Sequence, residues 1–77
     1  MIGIGSVCKT IYSVEFTYRK TGFVQRRTGG VRVHVFRVDD KTGRLLIETI
    51  DKNWEALCSR EILEPLSPLE QLAFHAE

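Results

Sequence analysis

The first quarter of the chain alternates between two sets of side chains with a period of two, and this alternation constrains the fold more than any other feature. The set on one face consists of Cys8, Thr10, Tyr12, Val14, Phe16 and Tyr18. Successive side chains of a β-strand point to opposite faces of a sheet, whereas the faces of a helix repeat every three to four residues. The pattern therefore predicts one strand over residues 7–20.

Turn-forming segments divide the following residues into further short strands. Turns are predicted at residues 20–22, 28–30, 39–43 and 51–53, which are rich in glycine, aspartate and asparagine. The alternation of the third strand slips at Phe36, which predicts a β-bulge. The five predicted strands are residues 7–20, 23–27, 31–38, 44–50 and 54–58.

A short helix is predicted after the strands. Ser67 is a suitable N-cap, Pro68 suits the first helical position, and Glu70 completes a capping box, which predicts a C-terminal helix over residues 67–76. A helix of this length is not stable alone in water, so its apolar residues must dock on the sheet or on a partner, and we expect the sheet. These docking residues are Leu69, Leu72, Ala73 and Ala76.

The predicted fold is one mainly β domain over residues 1–77, with residues 1–6 as a flexible lead. Five consecutive short strands indicate a small antiparallel meander, and curling the sheet into a barrel would bury its apolar face and its edges.

Two segments of the chain resemble a known family: residues 14–19 (VEFTYR) and residues 54–66 (WEALCSREILEPL). They resemble the first strand and the last strand-plus-turn of SH3-like and Sm-like barrels, including WYL-type regulatory domains. The resemblance implies an SH3-like barrel that binds nucleic acid, nucleotides or protein segments.

Charge is distributed unevenly along the chain. Residues 1–37 hold seven basic residues and one acidic residue, a net charge of +6, whereas residues 38–77 hold four basic and nine acidic residues, a net charge of −5. If the first strands lie side by side, their basic side chains form a positive surface that attracts phosphate. The candidate nucleic-acid-binding residues are Arg19, Lys20, Arg26, Arg27, Arg32 and Arg37.

Three interpretations of this charge distribution are open. In the first, the basic strands contact nucleic acid, and Tyr12, Tyr18 or Phe23 stacks on bases. In the second, the arginines pair with the acidic half across strands and leave a mixed surface. In the third, the chain is a protein-interaction or self-assembly module: the basic half of one copy meets the acidic half of another to form a homo-oligomer, or an exposed strand edge pairs with a protein partner.

Other classes of function lack a sequence signal. His34 and Cys58 belong to no catalytic motif, so we do not expect an enzyme, although a site shared between subunits and using His34 and Arg32 is a third hypothesis. The cysteines and histidines are scattered singly, which predicts no metal site and no cofactor. Because no apolar run spans a membrane and no secretory signal is present, we expect a cytoplasmic protein with free Cys8 and Cys58.

Overall fold

A computed structural model describes residues 2–76 of the chain and the side chains of residues 2–72. The protein is mainly β, with one short helix, and its strands form an antiparallel sheet that curls into a half-barrel. The strands are β1 (Val7–Thr10), β2 (Val14–Tyr18), β3 (Val24–Arg27), β4 (Arg32–Val38), β5 (Leu45–Thr49), β6 (Trp54–Cys58) and β7 (Leu63–Pro65). A 3-10 turn at Arg60–Ile62 precedes β7, and helix α1 covers Pro68–Ala76.

The order of strands across the sheet is β3-β2-β6-β5-β4-β1-β7, and every pairing is antiparallel. The hairpins β2–β3, β4–β5 and β5–β6 join strands that are neighbours in the sequence. Strands β1 and β2 are also consecutive in the chain, yet they lie far apart in the sheet. The predicted meander therefore describes β4 to β6 only.

The core lies on one face of the curled sheet, which we call the inner face. Its buried members, which recur at every second position of the strands, are Cys8, Val14, Phe16, Val33, Val35, Leu45, Ile47, Ala56 and Cys58, with Leu63 from β7. We call the opposite face the outer face. Period-two patterning in each strand produces this division, because alternate side chains project to opposite sides of a sheet.

The bulge predicted in the third strand is confirmed within β4. Val35 is paired with Ile47, and the next pair joins Arg37 to Leu46, so Phe36 has no partner in β5. The extra residue shifts the alternation by one position, which is the sequence slip that predicted it.

The prediction of five strands is wrong, since the structure has seven. The predicted strand over residues 7–20 is interrupted at residues 11–13, because β1 pairs with β4 and β7 whereas β2 pairs with β3 and β6. A straight strand cannot serve both ends of the sheet, so the chain bends between them. Strand β7 was not predicted because three residues, one of them Pro65, carry no alternation signal.

The bend at residues 11–13 is held by contacts with two other segments. The Ile11 N–H donates to the carbonyl of Ile62 at 2.9 Å, and the Gly30 N–H donates to the carbonyl of Thr10 at 2.6 Å. A Cβ atom on Gly29 would lie 2.9 Å from both the carbonyl carbon and the carbonyl oxygen of Ile11. Gly29 is therefore required for close approach of two backbone segments.

The N-terminal segment, which the sequence predicts to be a flexible lead, reaches β4. The Gly5 N–H donates to the Val35 carbonyl at 2.8 Å, and the Val35 N–H donates to the Ser6 carbonyl at 2.9 Å. The lead thus continues the pairing of β1 with β4 beyond the start of β1.

The predicted helix start is confirmed, with a reciprocal capping box. The Glu70 N–H donates to Ser67 Oγ at 3.2 Å, and the Ser67 N–H donates to Glu70 Oε1 at 3.1 Å. Glu70 also accepts a hydrogen bond from Lys9 Nζ at 3.1 Å, which ties α1 to β1.

The prediction that α1 docks on the sheet is wrong for two of the predicted residues, because Leu69 is 79% exposed and Leu72 is 71% exposed. The side chains of Ala73 and Ala76 lie outside the described residues.

The two cysteines are free thiols within the core. Burial, with a smaller effect of Cys8, raises the pKa of Cys58 to about 11, and burial also raises the pKa of Cys8. At about pH 8 a thiol with a pKa of about 11 is ionised in about one molecule in a thousand, against about one in four for a free cysteine. We therefore expect neither cysteine to react with Ellman's reagent until denaturant is added. Rapid reaction of one thiol in the native protein would contradict this burial.

Candidate nucleic-acid interface

The structure divides the six predicted basic residues between the two faces of the sheet. Arg27 lies on the inner face, because it pairs with the core residue Val14. Three others lie on the outer face by the register of their strands, Arg19 directly follows β2 and contacts Glu48 on that face, and Lys20 lies in the turn before β3. The four on the outer face are Arg19, Arg26, Arg32 and Arg37. The six residues therefore do not form one continuous row.

Two of the six basic residues are engaged by acidic side chains. Arg26 Nη2 lies 2.7 Å from Glu15 Oε1 across the β2–β3 hairpin. Arg19 forms ion pairs with Glu48 at 3.0 Å and with Glu55 at 3.3 Å, both from the acidic half of the chain. Arg19 thus has the cross-strand pairing that the second interpretation of the charge distribution expects. Arg26 pairs within the basic half.

Three aromatic residues meet at the end of the inner face where β2, β3 and β6 run side by side, and we call them the aromatic cluster: Tyr18, Phe23 and Trp54. The ring centroids of Tyr18 and Trp54 are 4.9 Å apart, and those of Phe23 and Trp54 are 6.4 Å apart with the rings at 74°. The cluster forms because Tyr18 is opposite Trp54 in the β2–β6 pairing. The Tyr18 N–H also donates to the Phe23 carbonyl at 2.7 Å, which closes the hairpin.

Arg27 adds a cation to the aromatic cluster. Its guanidinium carbon lies 4.8 Å from the ring centroid of Trp54 and 5.6 Å from that of Phe16. Its Nε donates to Gln25 Oε1 at 3.4 Å. The remaining N–H groups of a guanidinium over a ring lie at its edge, where they suit phosphate and carboxylate oxygens.

The exposure of Phe23 makes the aromatic cluster accessible from outside. Phe23 is 63% exposed, whereas Tyr18 and Trp54 are half-buried and Trp54 also packs against the core. The Lys20 side chain is exposed in the turn next to Tyr18, and it forms no ion pair with any described residue. An apolar surface of rings with cations beside it is the combination that stacks bases and contacts phosphates.

Sequence reasoning found part of this cluster. It named Tyr18 and Phe23 as stacking candidates, and the structure brings them together, whereas Tyr12 lies exposed in the bend between β1 and β2. Trp54 was not among the stacking candidates named from the sequence. The signal that would have added it is the β2–β6 pairing, which joins strands that are not neighbours in the sequence.

The outer face carries a polar network centred on Glu48, which sequence reasoning missed. Glu48 Oε2 lies 2.9 Å from His34 Nδ1, and Arg19 also lies over the ring of Phe36 at 5.0 Å. Burial raises the pKa of Glu48, but the hydrogen bond with His34 and the charge and hydrogen bond of Arg19 outweigh burial and hold that pKa below its usual range. Glu48 is therefore a buried carboxylate that is ionised at neutral pH.

Comparison with models of protein families, with curated proteins and with solved structures found no match for this chain. Over the part of the chain that the structure describes, no three histidine, cysteine, aspartate or glutamate side chains are grouped so that they could hold a metal ion. The helix found within residues 2–76 is too short to cross a membrane.

Proposed function

We propose that this chain is a small non-enzymatic binding module that holds single-stranded nucleic acid on the aromatic cluster. The observation that carries the proposal is the stacked arrangement of Arg27 on Trp54 beside Tyr18 and the exposed Phe23. This arrangement provides flat apolar surfaces and a cation at one accessible place.

The chemistry of the cluster favours single strands over duplexes. Bases of a single strand are free to leave their stack and lie on an aromatic ring, and such stacking contributes about 1–3 kcal/mol per base. In a duplex the same faces are covered by neighbouring base pairs. The phosphates would then be contacted by Arg27 and Lys20 and, where the strand passes around the edge strand β3, by Arg26 on the outer face, which would exchange its contact with Glu15 for a phosphate.

The proposal predicts the effect of reversing charge at Arg26 and Arg27. The double variant Arg26→Glu and Arg27→Glu should bind a fluorescent oligothymidine about tenfold more weakly, because two phosphate contacts are lost. The slope of log affinity against log salt should fall by about 1.4, the value for two contacts on a single strand. Fluorescence anisotropy at several salt concentrations measures both quantities.

The matched control reverses two basic residues far from the aromatic cluster in the sequence, Lys41→Glu and Arg44→Glu, and should change the affinity less than twofold. The variant Phe23→Ala tests stacking separately: it should weaken binding about tenfold without changing the salt slope. Failure of the wild-type protein to bind any oligonucleotide at low salt would overturn the proposal.

A second candidate function is protein interaction or self-assembly. Two features of the structure favour it. Leu69 and Leu72 on α1 are exposed, and β3 is an edge strand that pairs only with β2 among the described strands. Light scattering at low and at high salt tests it, because contacts between charged halves weaken with salt whereas apolar contacts do not. A monomer under both conditions would count against self-assembly.

Three expectations from the sequence stay predictions. They are the cytoplasmic location, the absence of catalysis and the relationship to SH3-like barrels. An SH3-like relationship would fit a binding module whose ligand lies on aromatic residues beside a curled sheet, and it adds no residue to the proposed site.

A further inference from the structure

A second concave site lies apart from the aromatic cluster, where the N-terminal lead, β4, β5 and the β5–β6 turn meet. It is an open cavity of about 320 Å³, and its lining residues include the apolar Val7 and Ile50 and the polar His34, Glu48 and Lys52. Cavities that bind small molecules start at about 300 Å³ and combine apolar walls with a few polar groups. The size and lining therefore fit a small ligand.

Glu48 orients the imidazole of His34 at this cavity. The Glu48 side chain is only 8% exposed, and its two oxygens contact His34 Nδ1 at 2.9 Å and Arg19 Nη2 at 3.0 Å. An ionised carboxylate only accepts hydrogen bonds, so the proton between these groups belongs to His34 Nδ1. This arrangement leaves His34 Nε2 for a ligand, while Glu48 is already occupied.

Lys52 supplies a cation at the same cavity. Its backbone is fixed in the left-handed region at φ 65°, where its N–H donates to the Thr49 carbonyl at 2.8 Å and its carbonyl accepts from Arg19 Nη1 at 3.1 Å. The ammonium group forms no hydrogen bond or ion pair with the described residues. Lys52 is thus a lining residue of the cavity whose charge no described residue compensates.

We propose that this cavity binds a small organic acid, whose carboxylate accepts hydrogen bonds from Lys52 Nζ and from the Nε2–H of His34 in its imidazolium form, with its hydrocarbon part against Val7 and Ile50. An amine would be repelled by Lys52 and would find Glu48 already paired. A neutral alcohol would leave the ammonium without a counter-charge, and acetate would leave the apolar walls uncovered. The ligand class is therefore an acid that carries an apolar group.

Benzoate is the probe for this site, measured by NMR titration of the uniformly labelled protein. We expect saturable shifts of the Gly5, Ile50 and Lys52 amides and of the His34 ring, with a dissociation constant on the order of 1 mM, as is usual for a ligand of this size. Acetate and benzyl alcohol, which each lack one half of the ligand, should bind at least about tenfold more weakly.

Two variants test the polar contacts. Lys52→Asn keeps a residue that tolerates positive φ and should weaken benzoate binding at least about fivefold, as should His34→Gln. Lys41→Asn, which removes one positive charge from another turn, is the matched control and should change the affinity less than twofold. The Arg26→Glu and Arg27→Glu double variant should also bind benzoate normally, so this site and the nucleic-acid site can fail independently.

Three results would overturn the proposal. They are shifts that do not saturate, equal binding of benzoate and benzyl alcohol, and unchanged affinity in Lys52→Asn. Each would show that the acid group is not recognised by the cavity.

Discussion

The variant Gly29→Ala is expected to lower the free energy of unfolding by about 2–3 kcal/mol, the usual cost of forcing an extra methyl group into a packed place. The added Cβ would lie 2.9 Å from the carbonyl carbon and oxygen of Ile11. These are backbone atoms, and they cannot move away easily, because Ile11 is hydrogen bonded to Ile62 and the neighbouring Thr10 accepts from Gly30 at 2.6 Å. The clash would therefore strain the bend on which β1 and β2 both depend.

Urea denaturation followed by circular dichroism measures this change. The control is Gly3→Ala, since a Cβ on Gly3 would meet no atom within 4 Å and Gly3 does not have a positive φ. The control should stay within about 0.5 kcal/mol of wild type. Equal midpoints for the two alanine variants would show that the close approach at Gly29 is not required for stability.

The variant Glu48→Gln is expected to lower the free energy of unfolding at neutral pH by about 2 kcal/mol, because charged hydrogen bonds to Arg19 and His34 are replaced by neutral ones. The folded protein holds the pKa of Glu48 below its usual range, since the hydrogen bond and charge of its partners outweigh burial. The unfolded chain consequently takes up this proton first as the pH falls. The stabilising effect is complete above the ordinary glutamate pKa of about 4.3 and is lost as the pH drops through the lower folded value.

The difference in the free energy of unfolding between wild type and Glu48→Gln should therefore become smaller in acid, where wild-type Glu48 also carries a proton. Urea midpoints at a series of pH values from neutral to acid measure it. Glu55→Gln is the matched control, because Glu55 contacts the same Arg19 but its side chain is 41% exposed, and its effect should stay below about 1 kcal/mol. A difference for Glu48→Gln that persists unchanged into acid would contradict the ionic origin of the stabilisation.

Local signals in the sequence predicted local structure well. The strand at Trp54–Cys58, the bulge at Phe36 and the helix start at Ser67 depend on residues within a few positions of one another. The bend at residues 11–13 was missed because the alternation resumes in phase after it: Thr10 and Val14 are both buried, and only the exposure of Tyr12 shows the break.

Pairing between distant strands could not be read from alternation. A period of two gives the face on which a side chain lies but not the strand beside it, so the contacts of Tyr18 with Trp54 and of Arg19 with Glu48 were not predictable. Charge patterning predicted a basic front half, and the structure places Arg27 on one face and Arg26 on the other because they are consecutive in β3. The aromatic cluster consequently depends on topology more than on composition.

The position of β1 between β4 and β7 has a consequence for the order of assembly. The hairpins of the sheet close over short loops, but the pairing of Cys8 with Pro65 joins the two ends of the chain. Closing a long loop costs more chain entropy and is slow. We therefore expect the pairing of β1 with β7 to form last, after the hairpins. Among the described strands β7 pairs only with β1, so loosening β1 would release β7, whereas β1 without β7 would stay paired with β4.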